Sequence, residues 1–344
     1  MERGTAGLRE LDDAIRASRD PKLPLPIPEE PLGFALEQEP FPDGQRAPIA
    51  TVYLQNGECP LACAYCGLYR QTGDRPASGA EIARQIRRAR ERFPQARGLK
   101  LYNASSLFEP ASIVQKDLPV IAASLEGLSF VVVEARSENA FRAVEFARHL
   151  AMPLEVAIGL EVADDTLLRQ LNKPTSIAAL RRAALALHGA GISLRAFVLV
   201  QPPFVDARKA VSLAVTSFEL AKEEGARVVS LLPVFPTHRP LRLLAAAEFF
   251  APPLLETLWK AVEACVGRGV TVLVETEFLG RLAACSNCGS ARREALKTLN
   301  ATGKLPAVLC RDHSPPREPG LRSFSKAEVL RALREGPPPF QGLP

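Results

Sequence analysis

The chain has 344 residues, 47% of them hydrophobic and 24% charged, a composition that suits a folded α/β protein with one large core or two modest ones. Its 43 basic and 38 acidic side chains leave a formal charge of +5, which accommodates an anionic ligand without demanding nucleic acid. No run approaches the ~20 apolar residues of a membrane span, and residues 1–20 mix charges of both signs without an apolar stretch, so no membrane partner and a cytoplasmic location are expected.

Residues 1–48 carry prolines at 21, 24, 26, 28, 31, 40, 42 and 48 and read as a Pro-rich, irregular N-terminal arm with one short helix over 8–17. From Ile49 onward the pattern changes. Short β-branched runs at 49–55, 99–103, 129–134, 153–160, 192–200 and 228–234 alternate with amphipathic stretches at 80–93, 112–125, 139–149, 177–189 and 207–224. Near-continuous apolar strands separated by helices predict a parallel sheet wrapped by helices, here a partial (β/α)6-like barrel over 49–240. A seventh apolar run, 270–274, follows a helix at 253–267 and either completes the barrel or begins a small C-terminal metal-binding module over 241–320. A Pro-rich tail, 321–344, contains one helix at 326–334.

Seven cysteines, an odd number, make a poor disulfide framework, and six of them fall into two groups that suit metal ligation in a reducing compartment. Cys59, Cys63 and Cys66 follow the end of the first predicted parallel strand. Three thiolates from one loop can hold three irons of a cubane cluster and leave the fourth open to a chelating small molecule. A closed zinc site would want a fourth ligand, and none lies nearby. Cys285-x2-Cys288 and Cys310-x2-His313 form a Cys3His set separated by 21 residues, joined by a predicted helix at 292–300. That set suits zinc, with an auxiliary iron–sulfur cluster as the rival.

The spacing Cys59-x3-Cys63-x2-Cys66, with Tyr65 before the last cysteine, resembles the signature of the radical S-adenosyl-L-methionine (SAM) superfamily. The likeness covers about 49–235 and is nearest to the elongator and methylthiotransferase branch. The runs 101–110 and 132–136 are also similar to the radical SAM subunit associated with archaeosine synthesis. The resemblance implies a [4Fe–4S] cluster whose open iron chelates SAM. A single electron from a flavodoxin- or ferredoxin-type donor then cleaves SAM to a 5′-deoxyadenosyl radical that abstracts hydrogen from a substrate, RNA being one option.

By position, the resemblance assigns the SAM amino group to the turn 103–106, where Ser105 and Ser106 replace a Gly-Gly-Glu pattern. It assigns the ribose or methionyl region to Glu161 and the carboxylate to Lys173. Glu134 and Arg136 share one strand face and are expected to contact SAM or an anionic substrate group, or else to pair with each other. Ser105 and Ser106 could equally cap a helix, and Lys173 could offset a helix dipole. His238 follows the sixth strand and could grip an anionic substrate or sit in a solvated loop, while His149 and His188 read as helix caps. Cys265 reads as core, and the basic helix at 81–92 as a solvated face rather than an RNA contact. A different class also fits the cysteines: a non-catalytic metal-binding structural or redox-sensing protein.

Overall fold

The computed structural model describes residues 2–336, so part of the predicted tail, 337–344, lies outside it. Eight strands form one sheet in chain order: β1 (Gly33–Pro40), β2 (Arg46–Leu54), β3 (Gly98–Asn103), β4 (Phe130–Ala135), β5 (Leu154–Glu161), β6 (Ser193–Val200), β7 (Ala226–Pro233) and β8 (Thr271–Val274). The first pair is antiparallel, and every later neighbour pair is parallel. Sequential parallel strands with right-handed helical crossovers curl one way, which yields a nearly closed barrel.

The helices are α1 (Glu2–Ala17), α2 (Gly79–Arg92), α3 (Leu118–Ala123), α4 (Ala143–Ala147), α5 (Asp165–Gln170), α6 (Ile177–Gly189), α7 (Ala207–Glu223), α8 (Arg239–Ala246), α9 (Leu255–Cys265), α10 (Gly289–Thr302) and α11 (Lys326–Glu335). Local chemistry sets their ends. Ser78 and Glu81 form a capping box at the start of α2, and Pro94 disfavours helical backbone at Phe93, where it stops. Ile82, Ile86 and Ala89 then lie on one face and are buried against the sheet. The predicted helices at 112–125 and 139–149 are shorter than expected, each a 3-10 turn running into a brief helix, α3 and α4.

Two features depart from the sequence reading. The arm is not irregular throughout: α1 starts earlier than predicted, and 33–40 form an edge strand. Alternation in β1 brings Glu37 and Glu39 to Lys100, and Glu39 also to Arg195 at 2.5 Å; Arg195 meets Glu155 at 2.7 Å. Charges inside a barrel are tolerable only when paired in this way. The second feature is the barrel's open edge. β8 joins the sheet, and α10 lies across the gap between β8 and β1. Asn300 donates to Val274 O (2.7 Å) and accepts from Val274 N–H (2.9 Å), as a further strand would, and Arg46 donates to Asn300 O at 2.5 Å. Among the described residues, no helix is long and apolar enough to cross a membrane.

Candidate active site

The loop leaving β2 crosses the mouth of the barrel at the C-terminal ends of its strands, where (β/α) barrels assemble reactive groups. Gly57 begins it. A Cβ there would lie 2.2 Å from Ala111 O and 2.7 Å from Arg75 O, so only glycine fits. The cysteine-bearing stretch is then fastened from three sides. Arg16 donates to Pro60 O (2.5 Å), and Arg19 to Glu58 (2.7 Å) and Leu61 O (3.2 Å). Asn172 donates to Ala62 O (2.9 Å), Ala64 N–H to Leu171 O (2.9 Å), and His238 Nε2 to Ala64 O (3.2 Å).

Burial pushes the Cys63 thiol up to about 12 and Cys66 up to about 11. Two sulfurs on one zinc ion stand less than about 4.6 Å apart. Among the described residues, the one set of three or more donors that converges within 4.8 Å lies elsewhere.

Beside this loop, Lys173 and Glu161 form a buried ion pair. Glu161 ends β5 with a φ of 64°, a left-handed conformation that is strained for glutamate. Burial works against the Lys173 charge, but the Glu161 carboxylate outweighs it and raises the lysine pKa. The pair folds back over Gly159, where a Cβ would sit 2.2 Å from Glu161 Oε1 and 2.6 Å from Lys173 Nζ. Tyr65 faces the same carboxylate; burial and the Glu161 charge together hold its phenol well above the ordinary range. Glu134 accepts from Asn103 N–H at 2.6 Å, yet burial still pushes its carboxyl up to about 8.

Several predicted residues are placed differently from expectation. Arg136 pairs with Glu109 and not with Glu134, so the two strand neighbours part company. Ser106 is fully buried, donates to Asn139 Oδ1 (2.9 Å) and accepts from Phe108 N–H (3.1 Å): it builds the turn and caps no helix. Ser105 Oγ and Asn103 Oδ1 are buried with no hydrogen-bond partner, which leaves two polar atoms free for a ligand. His238 is fully buried behind the cysteine loop and not in a solvated loop. His188 donates to Glu224 O (2.9 Å), closing α7 and not its own helix. Arg84 and Arg88 of α2 pair with Glu29 (2.9 Å) and Glu30 (2.6 Å), and Cys265 is core.

Sequence reasoning missed Arg16, Arg19 and Asn172, whose long-range hydrogen bonds have no local signature, and Gln201. Gln201 directly follows β6 with a φ of 55°, donates to Ala251 O (3.0 Å) and keeps Oε1 buried without a partner. The positive φ at two successive strand ends, Glu161 and Gln201, marks the mouth as a strained region. Inside the barrel, a cavity of about 360 Å³ opens towards the β1–β8 gap, lined by Tyr53, Tyr102, Phe197, Ser230 and Glu275 among others.

The second cysteine group also assembles. Donor atoms of Cys285, Cys288, Cys310 and His313 all lie within 4.8 Å of one another. Backbone N–H groups of Ser314, Cys288 and Asn287 draw the Cys285 thiol down to about 6, while burial pushes Cys288 up to about 11.

No protein-family model matches the chain, and no curated protein does. It is similar to solved structures of radical SAM enzymes. A radical SAM methyltransferase from Sphaerobacter thermophilus aligns at 16% identity and a TM-score of 0.49, over 70% of this chain and 72% of that one. Elp3 of the archaeon Methanocaldococcus infernus, with an N-terminal deletion, aligns at 11% identity and 0.46, over 57% and 51%. The radical SAM methyltransferase TsrM of Kitasatospora setae, with cobalamin and a [4Fe–4S] cluster bound, aligns at 11% and 0.42, over 56% and 38%. The chain thus spans about half or less of the length of the latter two.

Proposed function

We propose that this chain is a radical SAM enzyme, with its reaction carried by the barrel over 49–240. The observation that carries the reading is a cysteine loop fastened from three sides at the barrel mouth, adjoining a buried Glu161–Lys173 pair. Cys59, Cys63 and Cys66 would hold a [4Fe–4S] cluster that, once reduced by its electron donor, would supply the single electron that splits the SAM sulfonium into methionine and a 5′-deoxyadenosyl radical. Lys173 provides the positive charge for the methionyl carboxylate, and Glu161 accepts ribose hydroxyls. The unpartnered Ser105 Oγ and Asn103 Oδ1 receive the amino group. Tyr65 and Glu134 flank that volume, and burial keeps water from the radical's path.

Anaerobic reconstitution with iron and sulfide, followed by low-temperature EPR of the dithionite-reduced protein with and without SAM, tests this reading. A signal that shifts with SAM, disappears in Cys63→Ala and accompanies 5′-deoxyadenosine formation is the expected result. A fully loaded cluster blind to SAM would establish the non-catalytic metalloprotein instead. An RNA nucleoside is the substrate class suggested by the archaeosine-type resemblance, and salt-sensitive retention of bulk tRNA on filters tests it. A flavodoxin or ferredoxin is the proposed reductant, and the Cys3His set holds a further metal.

A further inference from the structure

We propose that Cys285, Cys288, Cys310 and His313 bind one zinc ion, through Nδ1 of His313, and that this ion staples residues 303–325 onto the helices that close the barrel. The inference rests on this site alone and stands whether or not the barrel cleaves SAM. Its first support is spacing. Zinc–sulfur and zinc–nitrogen bonds of ~2.3 and ~2.0 Å place tetrahedral donors about 3.6 Å apart. Cys288 Sγ and His313 Nδ1 are 3.3 Å apart, and the whole quartet converges within 4.8 Å. A cubane cluster, with irons between its thiolates, needs its ligands spread wider.

The second support is the histidine's other nitrogen. His313 Nε2 lies 2.8 Å from Glu256 Oε2 on α9, and Glu256 also pairs with Arg292 on α10. A carboxylate behind a ligating imidazole fixes its tautomer and leaves Nδ1 free to bind metal. Ser314 N–H, 3.4 Å from Cys285 Sγ, offers a further N–H to the sulfur charge.

The third support is what the segment lacks. From Gly303 (φ 76°), which ends α10, to Ser325 there is no helix or strand, and Leu309 is 95% exposed. Its other ties gather at its two ends: Leu305 and Val308 packed on the core at one, and at the other Glu318 to Thr257, Arg322 to Ala247 O (3.0 Å) and Glu248 O (3.3 Å), and Phe324 against Phe204 and Phe249. In between, Asn287 donates to Asp312 O at 3.0 Å. A metal clip closing such a loop supplies the missing constraint. Because Cys288 directly precedes the first residue of α10, the same ion anchors the helix that bridges β8 and β1.

The test is metal analysis of the full-length protein and of the Cys59→Ala/Cys63→Ala/Cys66→Ala triple variant, purified aerobically. The expected result is one zinc per chain in both. Cobalt replacement should give the visible spectrum of a tetrahedral thiolate–imidazole site, and removing the ion with a chelator should speed tryptic cleavage at Arg311 and Arg317. Glu256→Gln should weaken zinc affinity by about 10–100-fold. Iron with sulfide in the triple variant, or neither metal, would overturn the proposal. So would zinc whose removal leaves proteolysis of 303–325 unchanged. Failure of the wild-type protein to take up a SAM-responsive cluster on anaerobic reconstitution, with zinc retained, would count against the SAM reading only.

Discussion

Lys173 reaches from the turn after α5 to Glu161 at the end of β5, and their ion pair occupies the space that a side chain at position 159 would fill. A strained glutamate (φ 64°) is thereby held by a cation 12 positions away, with Gly159 as the condition for both. The pair joins backbone strain to electrostatics at the place where SAM is proposed to bind.

Gly159→Ala therefore drives the pair apart. In the reconstituted protein, SAM affinity measured by equilibrium dialysis should fall by about tenfold or more (~1.4 kcal/mol). Thermal stability should fall by ~1–3 kcal/mol, the usual cost of overpacking. An unchanged dissociation constant would separate Glu161 and Lys173 from SAM binding.

Asn172 holds the cysteine loop through Ala62 O and also donates to Asp12 at 3.1 Å. Its φ of 55° suits glycine as well as asparagine, so Asn172→Gly removes the side chain without backbone strain. Stability should drop by ~1–3 kcal/mol, and iron should be lost faster to a chelator. Equal iron retention in variant and wild type would show that the loop needs no such tie.

His238 predicts a pH dependence. Burial lowers its pKa from 6.5 to about 4, against the opposing bond to Ala64 O. Between these values the unfolded chain binds the proton and the folded chain does not, so stability rises with pH through the window. It is complete above about 6.5, with a slope of at most ~1.4 kcal/mol per pH unit. Melting of His238→Gln, whose amide can still donate to Ala64 O, should show a flatter profile between pH 4 and 6.5. An identical slope in the variant would assign the effect to other groups.

Arg195 is 1% exposed and pairs with both Glu39 and Glu155. Arg195→Met leaves two buried carboxylates without that partner, and denaturant unfolding should report a loss of ~3–5 kcal/mol. A loss under 1 kcal/mol would mean that Lys100 and Arg227 suffice to compensate both carboxylates.

The sequence by itself determined the parallel sheet, because buried strands and amphipathic helices write their periods into neighbouring residues. It also made the two cysteine groups legible, since Cys59, Cys63 and Cys66, and the two close pairs 285/288 and 310/313, are local spacings. Only the tertiary structure decided that a strand runs through the Pro-rich arm, for Glu37 and Glu39 look solvent-facing until Lys100 and Arg195 stand opposite them. The same holds for His238 behind the cysteine loop, Glu256 behind His313 and α10 across the open edge. Each joins residues from 57 to 254 positions apart or more than one element, and such pairings carry no period: they arise when burial leaves a charge or a polar atom that one distant group can satisfy.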